Sequence, residues 1–406
     1  MWPLKDTLKR YHLPIIFLFC ITIQVSYGQM KMDSINISPG KVGLLRVIFQ
    51  FGNIVNNGQA ILNHIDDNGY QIKRIQAFSA EYGWQMLGGK DWHQVCNYPR
   101  AGIGLQFLDI TKRDELGHPI SVYAFYDGNY FRKKNFSLTN RLSLGAALGT
   151  KKYDPAVKLP SDIFATNLNA FVELGVGMNI RLNNFILLEP GIRLTHFSNG
   201  NIREPQKGLN IVSYSLGVVS NMKSTVSEPV RKYIAPCLHR HEILGYIGMA
   251  PRQVQFYDKE NNNPYETFGL YFLMANIHLG YNYEISHRVK LGGGADVIYD
   301  GTNGQLSLLE SGTPGKDGIA FKDKMKLSLF VGAESVIDRL SIVMTLGYVV
   351  AETKFVGSAP SFEQRLGFKY HFLDDVFAGI NVRANKFRVA EAFEFNVGMR
   401  KYITGN

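Results

Sequence analysis

The chain has 406 residues and a formal charge of +10 at pH 7, with 12% aromatic residues, 19% charged residues, 40 glycines and 15 prolines. The length admits one large domain or two ordinary ones. Many aromatics and glycines with few charges exclude a disordered tail and a helical bundle, and favour strands joined by turns.

Residues 1–28 read as an export signal: Lys5, Lys9 and Arg10 precede the apolar run "LPIIFLFCITI", and "VSYG" offers a small residue at a cut site. That run is too short to span a bilayer as a helix, and no later segment reaches the roughly 18 apolar residues that a spanning helix needs. The mature protein is therefore either soluble in an exported compartment or crosses the membrane as strands. Export argues against nucleic acid as a partner, and the positive charge suits a solvated basic surface or anionic lipid headgroups. Cys20 lies in the signal after Phe19, a residue too large for a lipoprotein cleavage box. Cys96 and Cys237 remain, too few for a disulfide-dense scaffold or a four-thiolate metal site, with a single bridge between them left open.

Period-two alternation then runs through the chain. In "FATNLNAFVELGVGMNIR" (164–181) the even positions carry Phe164, Leu168, Ala170, Val172, Leu174, Val176, Met178 and Ile180, while Asn167, Asn169, Glu173, Asn179 and Arg181 are odd. Eight strands are predicted near 43–54, 71–87, 99–109, 119–131, 136–150, 164–181, 185–198 and 208–221. The connections alternate short and long, as in an outer-membrane barrel, except that 88–98 is long where a short turn is due. Residues 223–240, with two prolines and mixed charge, read as a periplasmic linker. About eight more strands follow, near 242–258, 265–284, 289–300, 322–336, 339–352, 362–372, 376–386 and 392–403. The expected fold is all-β: an antiparallel transmembrane barrel of eight strands over 29–222, then a second barrel half of unassigned role over 241–406. A single sixteen-stranded pore is the alternative.

Side chains two apart on a strand share a face. In "RLTHFSNGNIREPQKGLN" (193–210), His196 and Ser198 continue the apolar face of Ile192 and Leu194. In a membrane barrel both project outward to lipid, and counting strands from a periplasmic start puts them at the extracellular end. An imidazole and a hydroxyl there can act on an amphiphile whose ester lies at the headgroup boundary. A lone His-x-Ser at a strand end, however, is usually an interfacial polar pair.

"THFSNG" followed by "REPQKGLN" resembles the active-site signature of the lipid A 3-O-deacylases, acyloxyacyl-hydrolase-like outer-membrane barrels of eight strands. The family pattern is His-x-Ser-Asn, a Pro-x-x-Gly turn kept here by Pro205 and Gly208, and an acidic residue fourteen after the histidine. The upstream run "GKDWHQVCNYPRAGIGL" is similar to longer relatives, and the resemblance covers roughly 40–222. It implies an ester hydrolase acting on lipid A or lipopolysaccharide in the outer membrane, with no metal or organic cofactor. Ser198 would be the nucleophile and His196 its general base, with Asn199 and backbone amides near Gly200 and Asn201 facing the oxyanion. The departure is Asn210, where the family has its acid. Asn210 shares the outward face of Val212, Tyr214 and Leu216, within plausible reach of His196; its amide oxygen can fix the imidazole tautomer but brings no charge. Glu204 is an alternative acid, whereas Glu189 is odd and faces the lumen. A non-catalytic barrel with a lipid-binding or structural role is therefore the second reading.

Other motifs point to structure. "GVG" at 175–177 and "GGG" at 292–294 fall within strands and have no following helix to cradle phosphate. His239, His241 and Cys237 read as a hydrated linker before a metal site. Glu173, Glu189, Arg181 and Arg193 are expected to form an ion network in the lumen.

Overall fold

The protein is described by a computed structural model covering residues 40–55, 74–110, 116–133, 135–154, 163–204, 206–222, 232–253, 256–257, 264–265, 271–303, 320–354, 361–385 and 389–403. The signal at 1–28, Cys20, Pro205 and the first part of the linker lie outside these. Two compact units hold β1–β8 and β9–β18 respectively.

The first unit is a closed antiparallel barrel of eight strands in chain order, with β8 pairing back to β1. Its strands are β1 (Lys41–Val55), β2 (Arg74–Met86), β3 (Arg100–Ile110), β4 (Gly117–Arg132), β5 (Phe136–Thr150), β6 (Leu168–Arg181), β7 (Ile186–Ser198) and β8 (Leu209–Asn221). The second unit closes eight strands of its own: β9 (His241–Arg252), β12 (Phe272–Ser286), β13 (Val289–Asp300), β14 (Met325–Ile337), β15 (Leu340–Glu352), β16 (Phe362–His371), β17 (Val376–Asn385) and β18 (Val389–Ile403). Closure in two rings replaces the sixteen-stranded pore. The expected strands 242–258 and 265–284 are shorter in the barrel wall, because a separate two-stranded ribbon, β10 (Phe256–Tyr257) with β11 (Pro264–Tyr265), lies between β9 and β12.

Alternation has the meaning the sequence suggested. Along β1, Leu45, Val47, Phe49 and Phe51 are exposed outside, while Arg46, Ile48 and Gln50 are buried in the lumen. An eight-stranded barrel is narrow enough for side chains to fill it. Here they fill it in layers. Arg46, Arg100, Arg141 and Arg193 pair with Glu81, Asp127, Glu173 and Glu189: Arg46 reaches Asp127 at 2.6 Å, and Arg193 reaches Glu173 at 2.7 Å. Arg100 pairs with Glu189, and Arg141 with Glu81. Buried charges are tolerable only when paired in this way. The network is wider than the four residues expected from sequence, and Arg181 stands apart from it at the mouth of the barrel. Towards the β7–β8 loop, the lumen is packed with Tyr123, Phe125, Phe171, Phe197, Leu209 and Ile211, closed over by Ile163 and Phe164.

Phe164 corrects the sequence reading. It sits four residues before β6 begins and is fully buried among the lumen rings, so it is not part of the outer face. The long 88–98 connection is also accounted for, since it contains the short helix α1 (Asp91–Val95). Cys96 and Cys237 are not joined by a disulfide.

Candidate active site

β7 and β8 are antiparallel neighbours whose register places His196 directly opposite Asn210. Their outward-facing side chains meet: His196 Nδ1 lies 2.7 Å from Asn210 Oδ1. With the amide oxygen facing the ring, Nδ1–H donates and Nε2 is left as the basic nitrogen. Ser198 follows on the same face one pleat further, opposite the small Ala170 of β6, while Val172 stands beside His196. The imidazole therefore sits between an amide on one neighbouring strand and an apolar wall on the other.

The lumen side of this patch is rigid. Phe197, between His196 and Ser198, points inward with 0% exposure and packs edge-on against Phe171 at 5.5 Å, which stacks on Tyr123 at 5.1 Å. Tyr123 in turn donates its hydroxyl to Glu81 at 2.7 Å. A fixed Phe197 fixes the strand pleat, and with it the outward aim of its two neighbours.

Beyond Ser198 the chain turns sharply. Gly200 and Asn201 have φ of +65° and +67°, a left-handed conformation that glycine and asparagine adopt at least cost. Ser198, Asn199 and Asn201 are all buried. Gly208, on the return, is a contributor that sequence reading registered only as turn spacing. Its φ is +68°, and a Cβ there would lie 3.0 Å from Phe197 O, 3.1 Å from His196 Cε1 and 3.6 Å from Ser198 Cβ. Glycine is thus required twice, by backbone conformation and by the space beside the imidazole.

The structure brings His196 and Asn210 into contact, sets Ser198 on their face, and holds Asn199, Gly200 and Asn201 in the adjoining turn. Asn210 is the side chain on Nδ1, so Glu204 does not hold that position. Glu189 is in the lumen, bound to Arg46 at 2.9 Å. His239 Nδ1 lies 3.0 Å from Glu284 O and His241 Nδ1 2.5 Å from Tyr281 Oη, contacts that suit structural roles. Among the described residues no three His, Cys, Asp or Glu side chains are grouped to hold a metal ion.

Residues 76–219 match the family described as lipid A 3-O-deacylase (PagL), and residues 240–403 match the acyloxyacyl hydrolase C-terminal domain. No curated protein matches the chain. Among solved structures, the outer membrane enzyme PagL aligns at 14% identity over 43% of this chain and 97% of its own, with a TM-score of 0.30. An outer membrane channel from Pseudomonas putida F1 aligns at 10% identity over 92% of this chain and 100% of its own, with a TM-score of 0.21.

Proposed function

Because the chain belongs to the lipid A 3-O-deacylase family, an outer-membrane lineage, we propose that its first barrel removes an ester-linked acyl chain from lipid A by a serine–histidine mechanism. The observation that carries this reading is the 2.7 Å contact of His196 with Asn210 on the lipid-facing side of the barrel wall, with Ser198 next on the same face.

Ser198 Oγ attacks the acyl carbonyl while His196 Nε2 accepts the hydroxyl proton. Asn199 and the backbone amides around Gly200 and Asn201 donate to the oxyanion, a class of contribution worth about 3–4 kcal/mol of barrier per donor. Nε2–H then protonates the departing sugar oxygen, leaving acyl-Ser198, and water activated by the same nitrogen completes hydrolysis. Asn210 holds the tautomer in which Nε2 is unprotonated at the start of each cycle. Its amide does so without a negative charge, so the transient imidazolium is less stabilised than by a carboxylate. The pair faces the outer leaflet, where lipopolysaccharide resides, and no metal or organic cofactor takes part.

The missing charge at Asn210 also favours a second reading: a barrel that binds lipid A and does not turn it over. Mass spectrometry of lipid A from cells expressing the wild type or Ser198→Ala separates the two. Loss of one acyl chain with the wild type alone supports hydrolysis. Identical lipid A from both strains overturns it in favour of the inert barrel.

A further inference from the structure

The end of the first barrel opposite His196 and Ser198 opens into a cavity of about 70 Å³. Its walls include Arg100, Arg132, Lys133 and Arg181, together with amide and hydroxyl side chains such as Asn179 and Ser137, and no aspartate or glutamate. The charge balance deeper in the lumen makes this unusual. There, four arginines, 46, 100, 141 and 193, share four carboxylates, 81, 127, 173 and 189, in one network.

Among the described residues, no carboxylate pairs with Arg132, Lys133 or Arg181. Arg132 Nη1 is buried and has no hydrogen-bond acceptor. One aromatic face attracts it, and two cations repel it. The guanidinium lies 5.8 Å from the Tyr98 ring centroid and within electrostatic reach of two like charges, Arg100 and Arg181. Asn179 is engaged through both ends of its amide, Oδ1 accepting from Arg100 Nη1 at 3.4 Å and Nδ2 donating to Ser137 Oγ at 2.7 Å. Three cations converging on one cavity, one with an unused buried donor, is an arrangement completed by an oxyanion.

We propose that this mouth is a binding site for a phosphate-type oxyanion, held chiefly by Arg132 and Arg181 with Lys133 at the rim. The volume has room for several waters or one tetrahedral group. The cations line the inside of the barrel, where a free phosphate monoanion or dianion enters directly; a phospholipid headgroup would bring the same chemistry by bending in from the adjacent leaflet.

The test is calorimetric titration of inorganic phosphate into the full-length protein in a phosphate-free maltoside detergent at low ionic strength. Saturable binding that weakens at least tenfold in Arg132→Gln and in Arg181→Gln, but not in the exposed control Lys401→Gln, supports the site. Retained anomalous migration on unheated gels shows that the variants still form the barrel. Repeating the titration with phosphatidylglycerol in the micelles identifies the source. Unchanged phosphate affinity assigns the free anion, and several-fold weaker affinity assigns the headgroup. Absence of saturable heat for either ligand, or variants that bind like the wild type, overturns the proposal. The measurement reads binding at the mouth and not turnover, so its outcome is independent of the deacylase reading.

Discussion

The two barrels share strand number, antiparallel closure and an apolar exterior, yet His196 of the first and His278 of the second stand on opposite sides of the wall. In the first, His196 looks outward and is held by an amide on the next strand. In the second, His278 looks into the lumen, sandwiched between Tyr246 at 4.2 Å and Phe330 at 4.4 Å, with its Nδ1 2.8 Å from Asp296. His278 has a charged partner that His196 lacks, and it is buried within the lumen. The lumens differ as well. The first is layered from an apolar end to a cationic mouth. The second carries lysine pairs, Lys290 with Glu242 at 2.5 Å, Lys326 with Asp300 at 2.7 Å and Lys369 with Glu334 at 2.6 Å, beside Arg252, Arg365 and Arg383. One step of strand parity thus separates a candidate reaction centre from a buried structural hydrogen bond.

The contrast is most sharply broken by exchanging the lesions. His196→Ala is expected to lower deacylation by on the order of 10³-fold or more, as removal of a general base does in related triads, while barrel stability barely moves. His278→Ala is expected to leave deacylation intact but to cost about 1–3 kcal/mol of stability, because Asp296 keeps Arg365 at 3.2 Å but loses its 2.8 Å imidazole hydrogen bond inside the wall. Lipid A mass spectra and thermal unfolding, followed by gel migration, read the two effects separately; deacylation lost with His278→Ala would dissolve the distinction.

A smaller effect is expected at Gly208. Gly208→Ala puts a methyl group beside the imidazole at a left-handed position and is expected to cost about 1–2 kcal/mol of strain, with turnover falling roughly tenfold as the ring is displaced. The equivalent change at Gly280 of β12, where φ is ordinary, is expected to leave turnover untouched. The smallest effect belongs to Asn210→Asp, which keeps the geometry and adds the charge that His278 already enjoys; turnover is expected to rise by severalfold. A fall in initial rate on purified lipid A would show that the amide is not acting on the tautomer.

Much of this was legible in the sequence. Strict alternation gave most strand positions to within a few residues, and β13 from 289 to 300 agrees at both ends, because in a membrane barrel one face meets lipid and the other meets charge. The pairing of His196 with Asn210 was legible from parity on two adjacent strands. Phe164 was not, since an aromatic residue just before a strand fits either face until the connection folds into the lumen. The ribbon β10–β11 was hidden because Phe256 and Tyr257 read as the end of one wall strand and Tyr265 as the start of the next, on either side of the polar run DKENNNP at 258–264. Gly208 was visible only as spacing, because its second requirement, clearance from the imidazole, exists only once β7 and β8 are in register. The cationic mouth draws Arg100, Arg132, Lys133 and Arg181 from β3, β4 and β6 and the turn after β4, and no local pattern marks residues that only closure brings together.

The stacked rings that back the candidate site have one more effect. Ile110, Leu116, Ile163, Phe164, Phe197 and Leu209 show no measurable exposure, so the first barrel is corked at that end. This barrel therefore adds lipid-facing surface without adding a leak. It should not sensitise the bacterium to bulky antibiotics that the outer membrane normally excludes, and opening its cork by trimming Phe164 and Phe197 should raise sensitivity above that of the wild type.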